Sequence, residues 1–199
     1  MNPLLLILSA PSGTGKTTLA HRLVAAHPGA IFSVSYTTRT PRGDEKEGVD
    51  YHFISEERFR EMIAAGAFVE WAQVHGHHYG TPRKVIEEAQ ARGALVVFDI
   101  DVQGGEMIKK QHPEAVRALI LPPSLAELER RLRARSTDDD ATIRRRLHAA
   151  RIEVRLALSS GYEYWVINDD LDNAYADLEA IVRAEGCRAG RRPLAADLG

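Results

Sequence analysis

The sequence predicts an α/β protein built around a doubly wound parallel sheet. Short, unbroken apolar runs recur along the chain, and such runs are typical of strands that are buried on both faces of a sheet. Segments with the apolar spacing of an amphipathic helix separate them. Because parallel strands are joined by right-handed helical crossovers, this alternation predicts helices on both faces of one sheet. The apolar runs lie at 4–8, 95–98, 118–121 and 164–167, and the helical patterns lie at 19–24, 125–132, 143–158 and 171–182.

The composition is that of an ordinary soluble domain. The chain has 199 residues, of which 44% are hydrophobic and 27% charged, enough for one α/β domain with a substantial core. Its formal net charge of -2 argues against a dedicated nucleic-acid-binding protein, which is usually basic over a whole face. The one cysteine, Cys187, cannot form an internal disulfide, and this fits a reducing compartment.

No segment predicts membrane insertion or export. All apolar runs stay below the roughly 20 residues that span a bilayer. The N-terminal stretch MNPLLLILSA has no basic region before its apolar run, which a secretory signal peptide would need. We therefore expect a cytoplasmic protein with no membrane partner and no nucleic-acid partner.

The first strand leads into SAPSGTGKTT, the phosphate loop (residues 9–18), which nearly matches the pattern G-x-x-x-x-G-K-[ST]. Only the first glycine differs, because Ala10 takes its place at the exit of the strand. In such a loop, consecutive backbone N–H groups, a helix N-terminus and a lysine converge on phosphates. We expect Lys16 to reach the β- and γ-phosphates of ATP or GTP and the Thr17 hydroxyl to bind Mg²⁺. The alternative is a glycine-rich turn that only joins a strand to a helix. The residues expected to bind the triphosphate are Ala10, Pro11, Ser12, Gly13, Thr14, Gly15, Lys16, Thr17 and Thr18.

The region from 31 to 80 has a different pattern. Short segments rich in β-branched and aromatic residues (IFSVSYTT, VDYHFI and AFVEWAQV) surround one amphipathic helix. That helix is expected to begin near Ser55, with acidic residues in its first turn, and to end at Gly66. This predicts a small mixed α/β lobe inserted after the first βα unit. The expected divisions are a core at 1–33 and 83–187, the lobe at 34–82 and a loosely held tail at 188–199.

The lobe has residues suited to gripping a phosphate group. Arg39 and Arg42 flank Pro41 in SVSYTTRTPRGDEKEGVDYHF, and Tyr51 follows. A guanidinium group can hold a phosphate dianion through two parallel hydrogen bonds, and a tyrosine hydroxyl can complete the grip. The alternative is that both arginines are solvated surface charges.

A glutamate beside an aromatic residue follows, Glu70 next to Trp71 in VEWAQVHGHHYGT. The Watson–Crick edge of guanine presents two donors, N1–H and N2–H₂, and one carboxylate accepts both. The guanine O6 acceptor needs a donor, for which Ser35 and Thr81 are the candidates. Adenine reverses this pattern, so a buried Glu70 favours guanine. The alternative is a structural carboxylate with its partners inside the protein.

Two aspartates and three histidines are further candidates for metal binding. Asp99 stands at the end of the apolar strand LVVFD, where an aspartate can hold magnesium directly or through water. The alternative is a carboxylate that caps the next turn. Asp101 is expected on the same side of the strand as Asp99 if the strand extends that far. His75, His77 and His78 form a weak metal pattern, because they have no carboxylate partner.

Nine arginines lie between Arg130 and Arg155, interrupted by the acidic residues 138–140. Taken alone, such a segment is most often a solvated helical face with intrahelical ion pairs. A nucleic-acid patch is a second interpretation, although no aromatic stacking residue lies between the arginines. The third interpretation is a lid, at about 131–150, that closes over ATP.

Together these motifs resemble those of the guanylate kinases, enzymes that phosphorylate GMP with ATP. They follow the family order over roughly residues 4–185. The resemblance implies a P-loop NTPase core, a GMP-binding lobe and a helical lid, with Mg²⁺ as the cofactor bound with ATP. The products are then ADP and GDP, and dGMP is an expected further acceptor. The matching motifs are SAPSGTGKTTL, SVSxTTRTPR, GVDYHF, FVEWAQVHGxxYGT, LVVFDIDVQG and YWVINDDL, where x marks Tyr36 and the pair His77-His78, which depart from the family pattern.

The resemblance also implies roles by position. The residues implied for the GMP phosphate are Arg39, Arg42, Tyr51 and Tyr79, and those for the base are Ser35, Glu70, Thr81 and Asp101. The lid residues implied for the ATP phosphates are Arg131, Arg135 and Arg146. The implied catalytic residues are Lys16, Arg42, Arg135 and Arg146, and the implied magnesium ligands are Thr17 and Asp99. Tyr36 departs from the family pattern, in which a smaller residue is commoner, and this difference can narrow the lobe near the base.

Two other functions stay open at this point. One is a guanylate-kinase-like module that binds protein partners without catalysis, against which the intact Lys16 and Thr17 argue. The other is a kinase with a different acceptor, such as a sugar phosphate, which would not need Ser35, Glu70 and Thr81 together. The sequence favours neither a monomer nor a homo-oligomer.

Overall fold

The computed structural model describes residues 2–74, 76–134 and 139–191. The expectations for His75, for Arg135 and for residues 192–199 of the tail lie outside these ranges. At the start of the tail, Arg191 is buried and donates to the carbonyls of Pro3 and Glu114, so residues 188–191 are held to the core and are not loose as expected. None of the helices within them is both long and apolar enough to cross a membrane. In chain order the elements are β1 (Leu4–Ser9), α1 (Lys16–Ala26), β2 (Ile31–Ser33), β3 (Tyr36–Thr37), β4 (His52–Phe53), α2 (Glu56–Ala64), β5 (Phe68–Val74), β6 (His77–Pro82), α3 (Lys84–Arg92), β7 (Leu95–Asp99), α4 (Val102–Gln111), β8 (Val116–Leu121), α5 (Leu125–Ala134), α6 (Asp140–Ser159), β9 (Tyr164–Ile167) and α7 (Leu171–Gly186).

The core sheet has five parallel strands in the order β2-β7-β1-β8-β9. Its central strand, β1, is buried over its whole length, which explains why its sequence is an unbroken apolar run. Alternate residues of β1 point to opposite faces. Leu6 and Leu8 pack with α1 and α7, whereas Leu5 and Ile7 pack with α3 and α4. Helices therefore cover both faces of the sheet, and the predicted α/β fold class is confirmed.

The lobe contains a second sheet of four strands in the order β4-β3-β6-β5. This sheet is mixed, because β3 pairs in parallel with β4 and antiparallel with β6. Helix α2 is anchored by Phe59, which is fully buried and stacks on Phe68 with ring centroids 4.6 Å apart. Ser55 caps this helix by accepting a backbone N–H of its first turn. The helix ends at Ala64, and Gly66 follows with a φ of 65°.

Helices α5 and α6 pack against each other next to the phosphate loop. Their shared apolar contact is formed by Leu128, Leu132, Ile143 and Ala150. Leu132 also lies against the loop, because a Cβ added at Gly13 would stand 2.9 Å from its Cδ2 atom. The helix pair expected as a lid is therefore in contact with the loop that follows β1.

The sequence patterns did not predict α3 and α4. Two adjacent glycines, Gly104 and Gly105, lie in the first half of α4 and lower its helix propensity. Packing explains their presence, because a Cβ added at Gly105 would stand 3.0 Å from the hydroxyl of Tyr162. Helix α3 is short, and its clearest end signal is Gly93, which follows it in the left-handed conformation.

Candidate active site

The phosphate loop turns sharply between β1 and α1. Gly13 and Gly15 have φ values of 95° and 89°, in the left-handed region that favours glycine. Thr14 is buried between them, and its backbone N–H and hydroxyl both donate to the carbonyl of Pro11. Helix α1 begins at Lys16, so the unpaired N–H groups of its first turn follow directly on the loop. This arrangement supplies the backbone donors that an anion-binding loop requires.

Lys16, Thr17 and Asp99 meet at one edge of the core sheet. Lys16 forms an ion pair with Asp99, and the Thr17 hydroxyl donates to Oδ2 of Asp99 at 2.6 Å. They come together because β1 and β7 are neighbouring parallel strands whose carboxyl ends share that edge. The capping alternative for Asp99 applies instead to Asp101, whose side chain caps α4 by accepting the N–H of Gly104 at 2.8 Å. Strand β7 ends at Asp99, so strand alternation does not determine where Asp101 points.

The ammonium group of Lys16 is largely enclosed. Burial lowers its pKa to about 8, and the negative charges of Asp101 and Glu153 oppose this shift. Because Glu153 belongs to α6, this helix contributes negative charge near the lysine.

Arg39 is the centre of the group of lobe residues that is predicted to hold a phosphate. It is buried, and its two terminal nitrogens donate to the carboxylate of Glu45 at 2.8 and 2.9 Å. Its Nε donates to the Tyr79 hydroxyl at 3.2 Å, and its guanidinium carbon lies 5.3 Å from the centre of the Tyr51 ring. Arg42 is exposed, and its backbone N–H donates to Glu45 at 2.8 Å. The hydrogen bonds that Arg39 donates to Glu45 raise the pKa of Arg39, and the same bonds lower the pKa of Glu45.

Glu70 and Thr81 face each other across the paired strands β5 and β6. Both are buried, and the Thr81 hydroxyl donates to Oε1 of Glu70. The second oxygen, Oε2, lies against the first turn of α4, where a Cβ added at Gly104 would be 3.0 Å away. Burial raises the pKa of Glu70 to about 7, opposed by the Thr81 hydrogen bond and reinforced by the charge of Asp101. The structure therefore brings Glu70, Thr81 and Asp101 together.

One cleft is lined by residues of both the core and the lobe. Thr17 and Asp99 line it from the phosphate-loop side, and Ser35, Glu45 and Tyr51 line it from the lobe. Ser35 itself is buried. Ligands bound by the phosphate loop and by the lobe would therefore share this cleft.

The arginines of the lid fall into two groups. Arg131 and Arg146 are half-buried. Arg131 pairs with Glu127 at 2.7 Å and also donates to the carbonyl of Asp169 at 3.3 Å, in the turn after β9. The remaining described arginines next to them are exposed, as in a solvated helical face: Arg130, Arg133, Arg144 and Arg145. Burial thus separates Arg131 and Arg146, two of the three arginines expected to bind ATP, from those expected at the surface.

His78, one of the three histidines considered for metal binding, makes structural contacts. Nδ1 of His78 lies 3.0 Å from Oε2 of Glu56, and its ring centre lies 5.3 Å from that of Phe59. In the parts of the chain that the structure describes, no group of three His, Cys, Asp or Glu residues is placed to hold a metal ion. The Tyr36 ring packs against His52 and Phe68, with centroids 4.5 and 5.8 Å apart, so it belongs to the aromatic packing of the lobe sheet.

Two contacts at the site were not predicted from the sequence. Glu45 pairs with Arg39, but in RGDEKEG nothing distinguishes it from two neighbouring acidic residues. Asn168 donates from its side chain to the carbonyl of Thr14 at 2.6 Å. It lies in the motif YWVINDDL, so a signal was present there without an assigned role.

The fold and the site together define a class. The glycine-rich loop follows the central strand of a parallel sheet, and Lys16 and Thr17 lie beside the aspartate of a neighbouring strand. This is the arrangement of P-loop nucleotide-binding proteins. The lobe that faces the same cleft is consistent with a P-loop kinase that holds a second substrate. A sequence profile of the guanylate kinase family matches residues 2–185. The chain therefore belongs to the guanylate kinase family.

Individual proteins that this chain is similar to are also guanylate kinases. The guanylate kinase of Anaeromyxobacter dehalogenans (strain 2CP-C) is 63% identical over 190 residues, which cover 94% of this chain and 84% of the relative. The guanylate kinase of Myxococcus xanthus (strain DK1622) is 58% identical over 188 residues, covering 94% of this chain and 90% of the relative. The crystal structure of guanylate kinase from Anaplasma phagocytophilum has a TM-score of 0.80 at 34% sequence identity, covering 96% of this chain and 89% of that one.

Proposed function

We propose that this protein transfers the γ-phosphoryl group of ATP to GMP and releases ADP and GDP. The observation that supports this most directly is the shared cleft, which Thr17 and Asp99 line from the phosphate loop and Ser35 and Tyr51 from the lobe. Phosphoryl transfer needs the attacking and leaving oxygens in line and close together. Substrates held by the loop and by the lobe would face each other across one cleft, which supports transfer between them.

The triphosphate of ATP belongs to the phosphate loop in this proposal. Backbone N–H groups of the phosphate loop and the charge of Lys16 hold its oxygens. Thr17 and Asp99 fit a magnesium ion, because hydroxyl and carboxylate oxygens are ligands that Mg²⁺ prefers and these two already lie 2.6 Å apart. When bound, the ion would neutralise charge that develops on the phosphates.

GMP belongs to the lobe. Its phosphate is held by Arg39, Arg42, Tyr51 and Tyr79. Its base is read by Ser35, Glu70, Thr81 and Asp101. A hydroxyl has one proton to donate, and the Thr81 proton is already directed at Glu70. Ser35 is therefore the better donor to guanine O6, while Glu70 accepts from N1–H and N2–H₂.

Positioning and charge neutralisation supply most of the rate, because phosphoryl transfer leaves the protein little covalent chemistry. No protein base is needed, since a phosphate oxygen of GMP is the nucleophile. Closure of the lobe and of the lid excludes water, so the phosphoryl group is transferred to GMP and not to water. The residues assigned to catalysis are Lys16, Arg42, Arg135 and Arg146, and Arg131 helps to hold ATP.

The proposal includes a domain division and a cellular location. Strand β2 belongs to the core sheet and β3 begins the lobe sheet, which supports a boundary near residue 34. The core then comprises 1–33 and 83–187, with the lid at about 131–150. The substrates are small nucleotides, including dGMP as a further acceptor, and the reaction belongs to purine metabolism in the cytoplasm.

The test is kcat/KM for GMP, IMP and AMP with ATP as donor. Wild type is expected to prefer GMP over AMP by about 10⁴-fold, because AMP leaves buried polar groups unpaired. IMP lacks only the 2-amino group and is expected to lose less. Glu70→Gln should lower the use of GMP, whereas Glu57→Gln, an exposed position on α2, should leave all three values unchanged. Comparable wild-type values for GMP and AMP would overturn the acceptor, and no turnover with any monophosphate would favour the non-catalytic module.

A further inference from the structure

Asn168 connects the end of β9 to the phosphate loop. Its side chain is almost completely enclosed, with 4% of the residue exposed. Its Nδ2 donates to the carbonyl oxygen of Thr14 at 2.6 Å, and its backbone N–H donates to the carbonyl of Leu121 at 2.8 Å. The second bond holds the backbone of Asn168 to the neighbouring strand β8. The position from which its side chain extends towards the loop is therefore fixed.

The bond to Thr14 determines how one peptide group of the loop is turned. A peptide bond is planar and trans, so its carbonyl oxygen and the following N–H point in opposite directions. With the Thr14 carbonyl directed at the buried side chain of Asn168, the N–H of Gly15 must point the other way, out of the protein interior. A glycine-rich phosphate loop uses such N–H groups to hold phosphate oxygens.

Gly15 is matched to this contact. Its φ of 89° lies in the left-handed region, which favours glycine. A Cβ added at Gly15 would also stand 2.6 Å from Nδ2 of Asn168, closer than real Cβ contacts allow. A side chain at position 15 would therefore displace the carboxamide. Both the conformation of the loop and the approach of Asn168 require glycine here.

We propose that Asn168 is a positioning residue for the donor nucleotide. It acts through the Thr14 carbonyl, and by turning the peptide between Thr14 and Gly15 it directs the Gly15 N–H at the phosphates of ATP. The inference rests on the proposed use of the phosphate loop for ATP. It assigns Asn168 no contact with GMP, whose assigned residues lie in the lobe and at the start of α4.

The experiment compares Asn168→Asp with Asn173→Asp. The first change keeps size but replaces the donor with an oxygen that faces the Thr14 carbonyl. The second makes the same chemical change at an exposed position in the first turn of α7. For Asn168→Asp the KM for ATP should rise by about tenfold or more, because a buried carbonyl loses its donor. The KM for GMP should stay within about twofold of wild type, and Asn173→Asp should change neither value.

A second variant keeps the proposal testable if Asn168→Asp does not fold. Asn168→Ala removes the donor without adding charge and should weaken ADP binding, measured by calorimetry, while GMP binding stays the same. An unchanged ADP affinity, or equal losses for ADP and GMP, would overturn the positioning role. Calorimetry with ADP needs no turnover, so a wild-type protein that failed to phosphorylate GMP would count against the proposed function alone.

Discussion

The affinity for GMP is expected to fall as the pH is lowered through 7. Burial raises the pKa of Glu70 to about 7, above its ordinary value of 4.5. Only the ionised carboxylate accepts both guanine donors, because the protonated acid presents an O–H in place of one acceptor. GMP binding therefore favours the carboxylate, and protons compete with GMP below the pKa of the empty site.

The size of the effect follows from this pKa. A group with a pKa of about 7 is roughly nine-tenths ionised at pH 8 and one-tenth ionised at pH 6. If the neutral acid contributes little binding, the Kd for GMP rises about tenfold over this interval from Glu70 alone. The phosphate of GMP also titrates, and a second pKa near 6 adds about a twofold change over the same interval.

The assay is calorimetric titration of GMP, without ATP, between pH 5.5 and 8.5. Glu70→Gln is the control, because its amide does not titrate while the phosphate of GMP still does. The ratio of the two Kd profiles isolates Glu70, and it should change about tenfold between pH 8 and pH 6. At pH 6 wild type should also release close to one proton per GMP more than Glu70→Gln does, visible as a dependence of the heat on the buffer. Parallel Kd profiles for the two proteins, with equal proton release, would refute the guanine-reading role of Glu70.

Four further outcomes are expected. Lys16→Met should abolish turnover but leave calorimetric GMP affinity within a few-fold, since Lys16 is assigned to the donor phosphates; loss of GMP binding in folded protein would contradict the separate sites. Arg146→Ala should lower kcat and kcat/KM by similar factors, on the order of 10³ for an arginine that acts in the transition state, and a change in KM alone would contradict this. Gly104→Ala should raise the KM for GMP but not for ATP, because the new Cβ would lie 3.0 Å from Oε2 of Glu70; equal KM changes would argue for general damage. Phe59→Ala should lower the free energy of unfolding by about 3–5 kcal/mol in a denaturant titration, and a loss below 1 kcal/mol would mean that Phe59 does not anchor the lobe.

Local patterns were sufficient for four of the five core strands and for the phosphate loop. Strands β1, β7 and β8 are apolar runs because the core sheet buries them, whereas β9 lies at the sheet edge, where Trp165 and Ile167 are exposed. The fifth strand, β2, lies in the segment IFSVSYTT, whose pattern was grouped with that of the lobe. Lys16 and Thr17 have a fixed spacing from the end of β1. The predicted helix near Ser55 was recognisable because its cap and first turn are contiguous in sequence. These features depend on neighbours within a few residues, and a single sequence contains that information.

Features set by distant contacts were not predictable. Helix α4 contains two glycines because Glu70 and Tyr162 pack so closely against them that a side chain at either position would be crowded. Asn168 and Thr14 are 154 positions apart, so their bond depends on the order of strands in the core sheet. The choice of Glu45 as partner for Arg39, among several nearby carboxylates, depends on how the chain turns after Arg39. No local spacing rule encodes these three contacts.

The pairing of Arg39 with Glu45 also bears on which anions the empty lobe attracts. A buried arginine without a counter-ion would draw in any small anion of the surrounding solution. Here Glu45 already satisfies two of its nitrogens and the Tyr79 hydroxyl a third. Free phosphate would have to compete with an internal carboxylate and would gain little by the exchange. A nucleotide brings a base that binds elsewhere in the lobe, so its phosphate arrives as an intramolecular competitor at high effective concentration. The lobe is therefore expected to bind inorganic phosphate weakly, while it still binds the same group when that group is attached to guanosine.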